Sequence, residues 1–201
     1  MNRAIMFTDV KSSSKLWAAH PKEMLKLLTK HEKVIREYTK KYRGEILKTI
    51  GDAVMVSFGS LEHAVRCCIE IQTNLKNKPI KFKNSADQIQ IRIGLAYGPI
   101  QVKRIEIQGH KLKDIFGTTV NLASRMESKV SLVGGFGILA DRLPKKILDV
   151  IRANCSLVTE VNFKFKCDPV ERSARLMSSC VDVAILHVED GQEHKGLQCS
   201  V

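Results

Sequence analysis

An α+β sandwich, with helices packed mainly on one face of a mixed or antiparallel sheet, is the fold class this sequence predicts, and three observations predict it. Short runs with strand character are joined in pairs at tight turns, Ile50-Gly51-Asp52 and Gly98-Pro99. Longer stretches with helical apolar spacing alternate with those pairs. No internal repeat and no Pro/Gly linker long enough to divide the chain interrupts the pattern, so residues 1–190 are expected to form one domain and 191–201 a frayed polar tail.

Residues 4–7, AIMF, form an apolar run that reaches a polar turn at Thr8-Asp9, the mark of a first strand. Leu25, Leu27, Leu28, Val34 and Ile35 then recur at helical spacing through a Lys/Glu-rich stretch over residues 22–41, which predicts an amphipathic surface helix ended by Gly44. GEILKTIGDAVMVSF reads as a hairpin whose turn Gly51 permits. Ser60 is placed to cap a helix over 61–75 with Ala64, Val65, Cys68, Ile69 and Ile71 on its apolar face. After a lysine-rich loop, IQIRIGLAYG predicts a central strand and IQVKRIEI the next.

The segment 114–117 is short and apolar in its middle. Thr118 or Thr119 can cap a helix running through Val120, Leu122, Ala123 and Met126. Beyond it the sequence predicts a glycine-led strand GGFGILA, a short helix in DRLPKKILDVI, and strands in LVTEVNFKFK and VDVAILHVE.

With 201 residues, 44% of them hydrophobic, the chain can bury a real core. No stretch approaches the roughly 18 uninterrupted apolar residues of a membrane span, and the first apolar run is too short for a secretion signal. A cytoplasmic location is therefore expected. Six cysteines (67, 68, 155, 167, 180 and 199) form no CxxC and no zinc-finger spacing with His, which excludes a zinc module and predicts reduced, partly buried thiols. The excess of 33 basic over 21 acidic residues, +12, implies an anionic ligand. Aromatics make up 5% of the chain and do not interleave with the basic segments, so nucleic acid is not the expected partner, and the charge is expected to steer a polyphosphate ligand or to be plain solvated surface.

Asp9 and Asp52 carry most of the chemistry. Each sits where an apolar run meets a polar turn, and two carboxylates on strand-like segments predict a divalent-cation site, since hard Mg²⁺ or Mn²⁺ takes carboxylate oxygens together with substrate phosphates.

Four blocks, FTDVKSSSKLW, KTIGDAVMVSF, RIGLAYGPI and DIFGTTVNLASRMES, resemble in order and spacing the signature blocks of the class III nucleotidyl cyclase catalytic domain, the adenylyl and guanylyl cyclases. The likeness runs from Arg3 to about Ser128. It implies a ferredoxin-like sheet and two metal ions per site held by Asp9, Asp52 and the carbonyl of Val10. It further implies phosphate contacts from the Ser12, Ser13 and Ser14 loop, where the family usually has Gly at the position of Ser12. The family's purine-reading positions fall on Lys48 and Asp114, its ribose-orienting Asn on Asn121, and its transition-state Arg on Arg125. A cationic donor with an anionic acceptor matches adenine, which presents an acceptor at N1 and a donor amino group. Lys164, Lys166 and Arg172 are the candidates for a further triphosphate contact. Since the chain matches both halves of a site that the family assembles between partners, the resemblance implies a homodimer with two composite sites.

The leading expectation is an adenylate cyclase that converts ATP to cyclic AMP and pyrophosphate. The alternatives are the same chemistry on GTP or a pyrimidine nucleotide, a catalytically silent nucleotide-binding regulator, and a basic nucleic-acid-binding protein.

Overall fold

A computed structural model describes residues 1–107, 110–130, 136–140, 143–163 and 181–188. The strands are β1 (Asn2–Val10), β2 (Glu45–Ile50), β3 (Ala53–Phe58), β4 (Ile91–Pro99), β5 (Gln101–Ile107), β6 (His110–Phe116), β7 (Phe136–Ala140), β8 (Cys155–Phe163) and β9 (Val181–Val188). The helices are α1 (Ser13–Ala19), α2 (Pro21–Lys41), α3 (Leu61–Asn77), α4 (Thr118–Arg125) and α5 (Lys145–Asn154), and a π-helical turn, Met126–Val130, continues α4.

The main sheet runs β2-β3-β1-β4-β7-β9-β8. Its first four strands pair antiparallel and its last three join in parallel, so it is mixed. Strand alternation along β1 sends Ala4, Met6 and Val10 to one face and Ile5 and Phe7 to the other. The first face packs against α2, α3 and α5 through Met24, Leu27, Ile35, Ala64, Cys68, Ile71 and Ile151. On the second, Ile5, Met55 and Ala96 meet Ala123 and Met126 from the α4 segment and Ile100 and Ile115 from around β5 and β6. Helices thus lie mainly on one face, and α4 alone, with the separate β5–β6 hairpin, covers part of the other.

Four local expectations are corrected. Leu25 is 68% exposed, because the buried stripe of α2 is set by Met24, Leu27, His31 and Ile35, and Leu25 falls about 100° away from Met24. The helix α1, over SSKLWAA, was not expected: it has seven residues, buries none and carries no side-chain cap, so it leaves no periodic signal. The strand β6 begins at His110, well before the short apolar piece at 114–117. Gly117, not a threonine, is the N-cap of α4, at φ 133°, and the Thr119 hydroxyl instead donates to the Pro99 carbonyl at 2.7 Å, fastening α4 to the end of β4. Ser60 does cap α3, accepting from the His63 amide at 3.4 Å.

Cys67, Cys68 and Cys155 are buried free thiols. Burial pushes the Cys67 thiol up to about 12, which keeps it protonated and inert. Cys167, Cys180, Cys199 and the expected tail lie outside the described residues. Among the described residues, no helix is long and apolar enough to cross a membrane.

Candidate functional site

Pairing of β1 with β3 runs to Thr8↔Val54, so the β2–β3 turn lies against the end of β1. Gly51, at φ 62°, makes that turn, and Asp52 reaches back so that its Oδ2 accepts from the Val10 amide at 3.3 Å. Asp52, 43 positions after Asp9, thereby bonds the backbone one residue beyond it. Asp9 has Arg92 of β4 as its register partner, and Arg92 Nη2 donates to Asp9 Oδ2 at 2.8 Å. The same guanidinium sends Nη1 to the Ser128 carbonyl at 3.3 Å. Its Nε lies 3.1 Å from Glu127 Oε1, an ion-pair distance but off the hydrogen-bond line.

Glu127 is 8% exposed. Burial pushes its carboxyl up to about 7; Arg92 works against that rise, and the charges of Asp9 and Asp52 add to it. Arg92 contacts two of these carboxylates, Asp9 and Glu127, while Asp52 accepts from the Val10 amide instead. Among the described residues, no three His, Cys, Asp or Glu side chains are grouped closely enough to hold a metal alone. Asp9, Asp52 and the Val10 carbonyl are hard oxygen donors, the donor type that suits Mg²⁺ or Mn²⁺ when substrate phosphates and water supply the remaining ligands.

Lys48 lies opposite Met55, and Met55 opposite Phe7, which puts Lys48 on the same sheet face as Phe7 and Asp9. Lys48 Nζ donates to both Asp114 oxygens, at 3.0 and 3.1 Å. Those bonds, ahead of an Ile115 amide at 2.8 Å, hold the Asp114 carboxyl below the usual range even though partial burial works against them. A second pair, Lys113 to Glu45 at 2.6 Å, ties β6 to β2 and seats Asp114 beside Lys48.

Asn121 and Arg125 stand one turn apart on α4, with Asn121 exposed and Arg125 half-buried. Two glycines set where that helix sits. A Cβ on Gly94 would lie 2.1 Å from the Glu127 amide nitrogen and 2.2 Å from the Ala123 carbonyl oxygen; one on Gly98 would lie 2.8 Å from Thr119 Oγ1. The strand β4 is therefore the bed on which α4 rests. Ser12 takes a left-handed conformation, φ 55° and ψ 34°, at the entrance to α1, and Ser13 and Ser14 open the helix. Lys164, Lys166 and Arg172 lie outside the described residues.

The structure thus brings Asp52 to the Val10 amide next to Asp9, bonds Lys48 to Asp114, and places Asn121 and Arg125 on the helix that crosses the same face as Lys48 and Asp9. Sequence reasoning missed Arg92 and Glu127. The available signals were a charge inside the otherwise apolar strand IQIRIGL and an acid two residues after Arg125, but nothing in their spacing relates positions 9, 92 and 127.

Residues 2–133 match the adenylate and guanylate cyclase catalytic domain family. The receptor-type adenylate cyclase A of Leishmania donovani is 29% identical over 157 residues, covering 62% of this chain and 11% of that protein. This chain thus spans about a tenth of that relative's length. Among solved structures, the non-canonical dimeric guanylyl cyclase domain of the RhoGC fusion protein from the aquatic fungus Blastocladiella emersonii superposes with TM-score 0.61 and 25% identity, over 77% of this chain and 85% of that one. The catalytic core of a rhodopsin-guanylyl cyclase with converted specificity, in complex with ATPαS, superposes with TM-score 0.57 and 29% identity over 68% and 75%.

Proposed function

We propose, given that this chain belongs to the adenylate and guanylate cyclase catalytic domain family, that it converts ATP to 3′,5′-cyclic AMP and pyrophosphate at composite sites formed between two copies. The observation that carries the choice of ATP is the Lys48–Asp114 pair, a donor and an acceptor held side by side at 3.0 Å. Adenine accepts at N1 and donates from its amino group, so the base can replace each partner of this ion pair with one of its own polar atoms. Guanine presents the reverse pattern there and leaves both side chains unpaired, which is how such sites reject a wrong base.

Asp9, Asp52 and the Val10 carbonyl would hold two Mg²⁺ or Mn²⁺ ions. When bound, these supply acidification of the ribose 3′-hydroxyl and neutralisation of phosphate charge. Asn121 orients the ribose. Arg125, through its guanidinium, offsets charge that develops on the α-phosphate as the 3′-oxygen attacks and pyrophosphate leaves. The Ser12, Ser13 and Ser14 backbone lines the phosphate side, and Arg92 adds a cation beside Asp9.

Assembly between copies is supported by Tyr97, Val102 and Phe116, each 37–46% exposed. They lie on or next to the β5–β6 hairpin, large apolar side chains that a second chain would cover. Each chain carries both the metal carboxylates and the α4 residues, so a pair of chains holds two equivalent sites. We place the domain in the cytoplasm, where nucleoside triphosphate is available.

The test is to incubate the purified protein with ATP, GTP, CTP and UTP, each with Mg²⁺ or Mn²⁺, and identify cyclic products by mass spectrometry. Cyclic AMP is expected, and Asp52→Ala should abolish it without unfolding the chain. A dimeric sample that makes no cyclic nucleotide would sink the enzyme reading; cyclic GMP as the main product would overturn the assignment of Lys48 and Asp114.

A further inference from the structure

Glu127 is the one side chain among the described residues that is charged in its ordinary state at neutral pH, acidic, and buried. Burying a carboxylate carries a desolvation cost that an apolar side chain in the same place would not, so packing alone does not account for it. Three features put it where it is. The helix α4 passes into a π-helical turn at Met126, a geometry that recurs at functional sites. Gly94 has no Cβ, and only that absence lets the Glu127 backbone lie directly on β4. Arg92, the next residue but one along β4, stands between Glu127 and Asp9, with Nε 3.1 Å from Glu127 Oε1 and Nη2 2.8 Å from Asp9 Oδ2.

A guanidinium is a planar fork, so fixing one edge fixes the direction of the other. Here the Nε edge faces Glu127 and Nη1 meets the Ser128 carbonyl at 3.3 Å. The fork therefore reaches Asp9 with a single nitrogen, on Oδ2, and leaves Oδ1 outside that contact. Without Glu127, the Arg92 guanidinium can swing to meet both oxygens of Asp9 in the bidentate mode that arginine and carboxylate favour. It would then compete with a metal ion for the same oxygens.

We propose that Glu127 is a positioning residue for the metal carboxylate Asp9, acting through Arg92: it holds the guanidinium back so that Asp9 stays available to a divalent cation. This rests on the reading of Asp9 and Asp52 as metal ligands. Removing an outer-shell partner of this kind typically costs about 10- to 100-fold in metal affinity or activity.

The test is Mn²⁺ binding to the full chain without nucleotide, followed by electron paramagnetic resonance of the free ion, for the wild type, Glu127→Gln and Arg92→Lys. Glu127→Gln should raise the Mn²⁺ dissociation constant at least about 10-fold, raise the half-saturating Mn²⁺ for turnover by a similar factor, and recover most of its rate at saturating Mn²⁺. Its Tm should stay within about 3 °C of wild type. Arg92→Lys keeps the charge without the fork, is half-exposed, and provides the readout should Glu127→Gln not fold; it should change Mn²⁺ affinity, and adding Glu127→Gln to it should change the affinity no further. Equal Mn²⁺ affinity in wild type and Glu127→Gln, or an unrecoverable loss of rate with a fallen Tm, overturns the positioning role and leaves the metal assignment standing. A wild type that binds Mn²⁺ neither alone nor with pyrophosphate present overturns both.

Discussion

Lys48 and Asp114, 66 positions apart, neutralise each other on the open face of the sheet, with Lys48 Nζ 3.0 Å from Oδ1 and 3.1 Å from Oδ2. The pair is partly solvent-exposed, so it adds no more than about 1 kcal/mol to stability. Its worth is in recognition. Lys48→Ala and Asp114→Ala should each lower kcat/KM for ATP by about 10- to 100-fold, since each strands one polar atom of the base. The Tm should barely move, and the ratio of ATP to GTP turnover should fall. Steady-state kinetics on both nucleotides, beside thermal unfolding, checks this, and unchanged ATP kinetics would refute the role.

Composite sites make a prediction about mixtures. Asp9→Ala and Arg125→Ala should each be inactive alone, because one loses the metal half and the other the α4 half of every site. Mixed under conditions that exchange subunits, they should regain up to about a quarter of wild-type activity: random pairing makes half the dimers hybrid, each with one intact site. No recovery, with exchange demonstrated by differently tagged chains, would count against sharing.

The bed that β4 makes for α4 can be tested directly. A methyl at Gly94 must displace the Glu127 and Ala123 backbone, which stand 2.1 and 2.2 Å from it. Gly94→Ala should therefore cost about 3 kcal/mol or more in urea unfolding and take activity with it. Gly98→Ala meets a side-chain hydroxyl at 2.8 Å and should cost less, about 1 kcal/mol, by disturbing the Thr119–Pro99 bond. The reverse order of the two would show that α4 is seated by something else.

Ser12 carries strain of about 1 kcal/mol at φ 55°, a conformation glycine adopts freely. Ser12→Gly should stabilise the chain by about 0.5 kcal/mol, after the larger unfolded-state freedom of glycine is subtracted. Ser13→Gly, inside α1, should instead destabilise it. Denaturant midpoints of the two variants distinguish a strained position from a merely tolerant loop.

His31 is fully buried on α2, with neither ring nitrogen in a hydrogen bond. Burial lowers its pKa to about 4, against a smaller opposing pull from the Asp52 charge. The folded pKa lies below the unfolded value of about 6.5, so the unfolded chain takes up the proton first. The contribution to stability is present above pH 6.5 and is lost as pH falls towards 4, by about 2 kcal/mol between pH 7 and 4.5. Unfolding free energies at those two pH values should differ less in His31→Leu than in wild type by that amount.

Much of this was legible in the sequence. Ser60 and Gly51 announced their cap and turn because those roles depend on local dihedrals and short-range hydrogen bonds. The carboxylates at strand ends, the Lys48 and Asp114 positions and the Asn121/Arg125 spacing lay inside blocks ordered along the chain. The exposure of Leu25 was misjudged because an apolar residue beside a helical stripe looks like part of it until the packing partner sets the phase. The capping by Gly117 was misjudged because threonine is the commoner cap, and only the nearby Pro99 carbonyl shows where Thr119 is engaged.

By itself, the sequence determined the alternation of strands and helices, the turn residues and the identity of the chemical groups, since each depends on side-chain type and on spacing of a few residues. Tertiary structure alone decided that Asp9, Arg92 and Glu127 form one chain of contacts. Sheet register carries that information: pairing of Asp9 with Arg92 across β1 and β4, and the missing Cβ at Gly94, bring together groups whose separation along the chain says nothing about their distance in space.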